Sequence, residues 1–239
     1  MPNSYFQFKQ FLVQQDACAM KVTTDSCLFG AWCALEIEKA TAGKTLLDIG
    51  TGTGLLALMV RQKNKLAIDA VEINTAAAAQ ALQNINASPW PEDFIILNND
   101  VLHMDFSKQY DHIICNPPFY EHQLQSPNNQ RNTAHHSTQL PLQGLLTIIA
   151  NALKKSGTFF LLLPFKRLDE VRALFKKNAL WVAKEISVQQ SPNHIPFRVM
   201  LWGGKAEAAL QTGTIVIRNI ENQYTPEFTT LLKDYYLHF

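Results

Sequence analysis

The sequence predicts an α/β fold in which a mostly parallel sheet is covered by helices on both faces. Short apolar runs alternate with helix-like segments between residues 45 and 163, and this alternation is typical of parallel sheets. A glycine-rich loop, Gly50-Thr-Gly-Thr-Gly54, joins the first such strand to a helix. After residue 180 the apolar runs are separated by Pro and Gly turns. These later runs predict additional, antiparallel strands at the end of the sheet.

The predicted elements follow one another in a regular order. Residues 1–23 include a short alternating strand, and a helix over residues 24–40 begins at Thr24 or Asp25 as its N-cap. Strands are predicted at residues 45–49, 67–73, 94–97, 112–115, 158–163, 181–188, 197–202 and 214–217. Helices are predicted at residues 55–62, 75–86, 142–155 and 167–178. Because no linker interrupts this order, we expect one domain over residues 1–239, with residues 1–40 as an N-terminal extension.

Composition argues against several classes of protein. The apolar fraction is 47% and the formal net charge is +1, which is ordinary for a globular protein with a sizeable core. No apolar run approaches the ~18 residues of a membrane span, and no signal peptide is visible. The four cysteines form no CxxC pair and have no zinc-ligand spacing. We therefore expect a cytoplasmic protein with reduced thiols, without a metal and without a membrane partner.

The segment Asp111-His-Ile-Ile-Cys-Asn-Pro-Pro-Phe119 ends a predicted strand abruptly. Pro117 and Pro118 cannot continue the strand, because proline donates no ladder hydrogen bond. The Asn116 side chain and the Asn116 and Pro117 carbonyls are therefore expected at the open end of the strand, followed by the ring of Phe119. Acceptors beside an aromatic face suit a planar substrate that carries an amino group. The alternative is a strand-ending turn with a core phenylalanine.

Three acidic residues are placed to bind a nucleotide-like ligand around the glycine loop. The loop's glycines are Gly50, Gly52 and Gly54, a spacing that differs from the GxGxxG of dinucleotide enzymes. Asp48 is expected to point a carboxylate into the cleft, where it suits an ammonium better than a pyrophosphate. Glu72 ends the second strand and can accept from both ribose hydroxyls, and Asp100 follows the third strand and can accept from an adenine amino group. The alternative for each is a solvated turn residue.

The chain resembles the class I S-adenosylmethionine-dependent methyltransferases in four motifs that occur in the family's order. They are Asp48-Ile-Gly-Thr-Gly-Thr-Gly54, Glu72, Asn99-Asp100 and Asn116-Pro-Pro-Phe119. The resemblance covers at least residues 20–165 and implies a Rossmann-like fold with a seven-stranded sheet and an antiparallel C-terminal strand. It implies S-adenosyl-L-methionine as the cofactor. In this family Asn-Pro-Pro-Phe/Tyr marks methylation of an amino nitrogen on adenine, guanine or a glutamine amide.

The N-terminal extension resembles the bacterial valine-tRNA adenine-N(6) methyltransferases. The matching segments are Phe6-x-Phe8-Lys9-Gln10-Phe11, Cys18-Ala-Met-Lys21-Val-x-Thr24-Asp25 and Leu28-Phe-Gly30-Ala31-Trp32. These enzymes modify the adenine on the 3′ side of the anticodon. The resemblance implies that Lys21, Thr24 and Asp25 help to form the wall of the cofactor site. It makes tRNA the expected partner, and the N-terminal extension is expected to contribute to the cofactor and RNA sites.

For an adenine substrate we predict a mechanism based on positioning and electrostatics. Asn116 Oδ1 and the Pro117 carbonyl accept the two amino hydrogens, and Phe119 stacks on the base. The adenine must leave its stack to reach them. Three alternatives stay open: a guanine-N(2) RNA methyltransferase, a protein glutamine amide methyltransferase, and a non-catalytic nucleotide- or RNA-binding module.

Charge is distributed unevenly along the chain. Residues 1–120 hold 8 Lys and Arg against 12 Asp and Glu, a net charge of −4, and residues 121–239 hold 13 against 8, a net charge of +5. A basic half can face a polyanion. The predicted RNA-binding residues are Arg131 in the polar segment 120–141, and Lys166, Arg167 and Arg172 in and before a basic helix. The alternative is a solvated helix face, and we expect the protein to be a monomer.

Overall fold

The structure, a computed structural model, describes residues 3–18, 20–40, 43–118 and 140–239. The strands are β1 Tyr5–Gln7, β2 Leu12–Gln14, β3 Thr45–Ile49, β4 Ala67–Glu72, β5 Phe94–Asn98, β6 Tyr110–Cys115, β7 Leu153–Pro164, β8 Trp181–Gln189, β9 Arg198–Gly204 and β10 Gln211–Val216. The helices are α1 Thr24–Ala40, α2 Leu55–Lys63, α3 Thr75–Asn86, α4 Leu142–Ala152, α5 Leu168–Lys177 and α6 Pro226–Leu232. Strands β1 and β2 form a separate antiparallel hairpin.

The remaining eight strands form one sheet in the order β10-β8-β9-β7-β6-β3-β4-β5. The predicted α/β architecture is confirmed, and β9 is the strand that runs antiparallel to its neighbours β7 and β8. Two details differ from expectation, because the sheet has eight strands instead of seven and β10 runs parallel to β8. β9 is already paired with β7 on one side and with β8 on the other. Its last residue, Gly204, lies beside Trp181 at the start of β8, so the chain that continues through residues 205–210 adds β10 along the free edge of β8 and in the same direction as β8.

The boundary between α4 and β7 also differs from the sequence prediction. A helix was expected to reach residue 155, but α4 ends at Ala152 and β7 begins at Leu153. Leu153 pairs with Tyr110 at the start of β6, and Lys154 Nζ donates to Asp111 Oδ1 at 2.9 Å. Pairing with β6 therefore overrides the helical periodicity of these residues.

The sheet separates two apolar clusters, and alternate residues of β3 contribute to opposite clusters. Leu46 packs with residues of α1, α2 and α6, whereas Leu47 and Ile49 pack with residues of α4 and α5. This alternation follows from the two-residue repeat of a strand. None of the helices that the structure describes has the length and hydropathy needed to span a membrane.

Aromatic side chains of the N-terminal hairpin pack into the first cluster. Phe8 and Phe11 stack with ring centroids 4.5 Å apart, and both side chains are buried. The backbone N–H of Lys9 donates to the carbonyl of Tyr235 at 2.8 Å. The hairpin is thereby fixed to the segment that follows α6.

Candidate active site

The carboxyl ends of β3, β4, β5 and β6 meet at one edge of the sheet. Ile49 at the end of β3 pairs with Cys115 at the end of β6, and Glu72 at the end of β4 pairs with Asn98 of β5. Ligands of open α/β sheets bind at this edge. The sequence-predicted residues that follow these strands are therefore brought together.

The glycine loop bends back over the end of β4. The φ angles of Gly50, Gly52 and Gly54 are +70°, +57° and +81°, values that residues with a Cβ rarely adopt. The N–H groups of Gly50 and Thr51 both donate to the carbonyl of Val71, at 2.8 and 3.0 Å. A Cβ placed on Gly50 would meet no atom within 4 Å, so open space lies beside this turn.

Glu72 is fixed against the glycine loop by its own carboxylate. Its Oε2 accepts from the N–H of Gly52 at 2.9 Å, and its Oε1 accepts from the N–H of Asn74 at 2.9 Å. Each oxygen can accept a further hydrogen bond. The side chain lies where the sequence placed it, and binding of ribose hydroxyls by Glu72 stays a prediction.

Asp48 is wholly buried beneath the loop, which corrects the expectation of a carboxylate pointing into an open cleft. Oδ2 accepts from Thr51 Oγ1 at 2.6 Å, whereas Oδ1 has no hydrogen-bond partner. The pKa of this carboxyl is raised to about 7, mainly by burial; the hydrogen bond from Thr51 lowers it, the nearby charge of Glu72 raises it, and the backbone N–H of Ala57 lowers it. Sequence reasoning missed Thr51, although a hydroxyl three residues after an Asp near the end of a predicted strand was a visible signal.

Asn116 follows the last residue of β6, as predicted, and its side-chain oxygen Oδ1 is buried without a hydrogen-bond partner. The neighbouring Pro117 is buried, and Pro118 is exposed. Buried acceptors without a donor are rare because they forfeit solvation without compensation. Asp48 Oδ1 and Asn116 Oδ1 are therefore two acceptors at this edge of the sheet that a further donor could satisfy, and binding of a ligand's N–H groups there stays a prediction.

Asp100 acts as the N-cap of a short 3-10 helix that follows β5. Its Oδ1 accepts from the N–H of Leu102 at 2.9 Å, and its Oδ2 lies 2.9 Å from His103 Nδ1. The interaction predicted with an adenine amino group stays a prediction.

Sequence reasoning missed two partly exposed apolar side chains near Glu72 and Asp100, Ile73 at 49% and Leu102 at 41%. Their positions directly after Glu72 and near Asp100 suit the faces of a flat base.

The three residues predicted to line the cofactor wall have different surroundings. Thr24 is exposed as the first residue of α1, and Lys21 Nζ donates to the carbonyl of Asn3 at 3.3 Å. Asp25 Oδ2 accepts from Arg198 Nε at 2.8 Å, so its carboxylate links α1 to β9. The roles of Lys21, Thr24 and Asp25 toward a cofactor stay predictions.

The N-terminal extension reaches the glycine loop through residues that the sequence did not single out. Asn84 Oδ1 accepts from the N–H of Gln14 at 2.8 Å, and its Nδ2 donates to the carbonyls of Gln14 and Thr53 at 2.9 and 2.8 Å. Cys18 Sγ lies 3.9 Å from the position of a Cβ on Gly52. The pKa of the Cys18 thiol is raised to about 11, first by burial and then by the charge of the Glu72 carboxylate. The extension therefore forms one side of the loop.

Two of the predicted RNA-binding arginines are paired with carboxylates. Arg167 makes two hydrogen bonds of 2.8 Å to Glu170, and Arg172 makes two of 2.9 and 2.8 Å to Glu185. An RNA phosphate would have to compete with these carboxylates. RNA binding by Arg167 and Arg172 stays a prediction.

The other predicted site residues are less defined by the structure. Lys166 is exposed in a short 3-10 helix after β7. Phe119 and Arg131 lie outside the described residues, so their roles stay predictions. Within residues 3–18, 20–40, 43–118 and 140–239, no cluster of three or more His, Cys, Asp or Glu side chains could hold a metal ion.

Comparison with known proteins places the chain among methyltransferases. The methyltransferase small domain family matches residues 31–183. The tRNA1(Val) (adenine(37)-N6)-methyltransferases of Bacteroides thetaiotaomicron and Cytophaga hutchinsonii are 36% and 39% identical, cover 100% of this chain, and are themselves covered over 99% and 100% of their length. A predicted O-methyltransferase from Agrobacterium tumefaciens superposes with a TM-score of 0.66 at 14% identity, over 88% of this chain and 96% of that one. The last similarity shows the fold alone.

Proposed function

This chain belongs to the methyltransferase small domain family and, within it, to the tRNA1(Val) (adenine(37)-N6)-methyltransferases, and we propose that it methylates N6 of an adenine in tRNA. The methyl donor is S-adenosyl-L-methionine. The names of its relatives make adenine 37, on the 3′ side of the anticodon of valine tRNA, the proposed target. A tRNA-modifying enzyme is expected to act in the cytoplasm, and we propose that it acts there as a monomer.

The residues at the carboxyl edge of the sheet fit S-adenosylmethionine. The unpartnered Oδ1 of Asp48 suits an ammonium, and the open space beside Gly50 lets a ligand approach the backbone closely. Glu72 keeps lone pairs for ribose hydroxyls beside the loop. When bound, the cofactor supplies a methyl group on a positively charged sulfur.

The single observation that carries the choice of reaction is the unpartnered Oδ1 of Asn116. Asn116 Oδ1 and the Pro117 carbonyl accept the two hydrogens of the adenine amine, which holds the nitrogen in place. These contacts draw its lone pair out of conjugation with the ring and aim it at the methyl group. Preorganised acceptors of this kind stabilise a transition state without reorganising. A proton leaves the nitrogen after transfer, and no strong base is required.

The alternatives differ in the product they make. A guanine-N(2) enzyme would leave methylated guanosine, and a glutamine amide enzyme would label protein instead of RNA. The names of the full-length relatives favour adenine over both. A non-catalytic binding module would transfer no methyl group at all.

The test uses Asn116→Ala with unmodified tRNA and labelled cofactor. We expect cofactor affinity to stay near the wild-type value and the methylation rate to fall by a factor on the order of 100 or more, as for loss of one preorganised polar group. Asn86→Ala, which changes an exposed asparagine of α3, is the matched control. Nucleoside analysis of the tRNA identifies the methylated base. Full turnover by Asn116→Ala, or a product other than N6-methyladenosine, would overturn the proposal.

A further inference from the structure

The strands on one side of the candidate active site extend further than those on the other. One row of paired residues crosses the sheet through Ile49, Cys115, Leu161, Leu201, Glu185 and Thr212. Beyond this row β3 and β6 stop, whereas β7 continues to Pro164, β8 to Gln189 and β10 to Val216. At about 3.3 Å per residue, these strands rise roughly 10–13 Å above the ends of β3 and β6. We call this part the raised wall, residues 162–164, 186–200 and 213–224.

The top of the raised wall consists of two adjoining turns, residues 190–197 and 218–224. They are joined because Ile217 and Arg218 donate their N–H groups to the carbonyls of Gln189 and Gln190, at 2.9 and 3.1 Å. Each turn carries one highly exposed isoleucine, Ile195 at 85% and Ile220 at 74%. One exposed isoleucine is ordinary on a protein surface. Two on adjoining turns, more exposed than any other large apolar side chain in the described part of the chain, indicate a contact surface.

Arg218 is held rigidly at the base of these turns. Its guanidinium lies 4.0 Å from the centre of the Tyr224 ring, which stacks on Phe228 at 4.8 Å. Its Nη1 donates to the carbonyl of Asn222 at 2.6 Å. Among the described residues, no carboxylate lies within ion-pair distance of Arg218, whereas each of the other described arginines is paired with Asp or Glu.

The raised wall borders the candidate active site, where an RNA substrate would be methylated. Four strand spacings of about 4.8 Å separate β6 from β10, so Arg218 lies roughly 19 Å to the side of Asn116. Together with the rise of roughly 10–13 Å, the separation is roughly 22 Å, which corresponds to roughly six or seven nucleotides along a stacked strand with one phosphate per ~3.4 Å. An RNA that presents a base to Asn116 and extends toward β10 would pass over the wall.

Resting on the proposed function, we propose that the tip of the raised wall is a contact surface for the RNA that flanks the target adenine. Arg218 offers its guanidinium to a base or a phosphate, with one face already held by Tyr224. Unstacked bases of RNA loops stack on guanidinium planes and on apolar side chains, and Ile195 and Ile220 provide such apolar contacts. The uncompensated charge of Arg218 favours a polyanion over a protein partner.

The test compares Arg218→Gln, the double variant Ile195→Ser with Ile220→Ser, and Lys65→Gln as the control. Lys65 is exposed and lies before β4, at the opposite edge of the sheet. Wild-type methylation of tRNA is measured first, because its absence would reject the proposed function itself. Each wall variant is then expected to raise the KM for tRNA about fivefold or more, as for loss of a stacking contact, with kcat and cofactor affinity unchanged. Lys65→Gln is expected to match the wild type.

Salt dependence separates the two kinds of contact in the proposed surface. Arg218→Gln should reduce the slope of log affinity against log salt by about 1 if the guanidinium contacts a phosphate. The isoleucine variant should lower affinity by a similar factor at every salt concentration. Arg218→Lys, which keeps the charge, checks that lost packing on Tyr224 is not the cause. If the wild type methylates tRNA and the wall variants match it in KM, the surface does not bind RNA and is left for a protein partner.

Discussion

At the scale of single residues, two unpartnered oxygens define the candidate site. Asp48 Oδ1 and Asn116 Oδ1 are buried acceptors at the ends of neighbouring strands. Their positions follow from the folding of the motifs, since Thr51 takes one oxygen of Asp48 and the prolines after Asn116 end β6. A ligand with an ammonium and a substrate with an amine can satisfy both.

The raised pKa of Asp48 predicts how cofactor affinity depends on pH. In the free protein the carboxyl has a pKa of about 7, so below that pH it must lose a proton before it can pair with an ammonium. Affinity for S-adenosylmethionine should therefore rise between pH 5 and 7, by up to about tenfold per pH unit. Calorimetry across this range measures the change. Asp48→Asn should bind more weakly at pH 7 and with little pH dependence, and a constant wild-type affinity would exclude Asp48 from contact with the ammonium.

The positions of single residues could be predicted from sequence where local signals show the end of a strand. Asn116 and Glu72 lie at strand ends because the strands stop there, and both positions could be predicted. The ion pair between Asp25 and Arg198 could not, because 173 residues separate the partners. The burial of Asp48 depends on how α2 and the glycine loop cover the end of β3, which the local sequence does not specify.

At the scale of elements, two buried side chains of α3, Gln80 and Asn84, hold the N-terminal extension. Gln80 Oε1 accepts from the N–H of Ala17 at 3.2 Å, and its Nε2 donates to Asp16 Oδ1 at 2.7 Å. Asn84 is 2% exposed and bonds to Gln14 and to the glycine loop at Thr53. Sequence periodicity recognised α3 but could not indicate which of its polar residues faces inward toward the extension. The contact between the N-terminal extension and the glycine loop therefore depends on tertiary packing and could not be predicted from local sequence.

Removing the Asn84 side chain should weaken the attachment of the N-terminal extension to α3. Asn84→Ala leaves the buried carbonyl of Thr53 and the partly buried backbone groups of Gln14 without this partner, so we expect the free energy of unfolding to fall by about 1–3 kcal/mol. Cofactor affinity should fall as well, because Thr53 belongs to the loop. Gln83→Ala, at the adjacent exposed position, is the control. Denaturant unfolding and calorimetry measure the two effects, and an Asn84→Ala protein with wild-type cofactor affinity would show that the extension does not support the site.

For the strands after residue 180, the sequence predicts their existence but not their direction. Their existence was predicted from apolar runs and turns, but the parallel direction of β10 was not. Strand direction depends on which sheet edge is free once β9 lies between β7 and β8. The raised wall, which results from these extra residues of β7, β8 and β10, was therefore invisible in the sequence.

At the scale of the whole molecule, two apolar clusters share one sheet. Leu46 and Leu47 are adjacent in β3, wholly buried, and belong to opposite clusters. We propose on this basis that residues 1–239 act as a single domain. A strand buried on both faces joins the two clusters into one cooperative unit.

Paired substitutions in β3 test this cooperativity. Leu46→Ala and Leu47→Ala should each lower the free energy of unfolding by about 2–5 kcal/mol, the usual cost of a buried leucine truncation. Each variant should still unfold in one transition when followed by circular dichroism and by tryptophan fluorescence. Separate transitions, with each substitution shifting only one of them, would divide the chain into two folding units.

The attachment of the N-terminal hairpin to residues around 235 has a consequence for synthesis on the ribosome. Lys9 Nζ donates to the carbonyl of Lys233 across 224 residues, and the buried Tyr235 closes the cluster that contains Phe8 and Leu28. Contacts of such long sequence separation form late. During translation α2 can cover part of α1 early, but the part of α1 that packs against α6 stays uncovered until residues 226–235 have been made. Nascent chains of this protein are expected to need protection by a chaperone until residues 226–235 have been made.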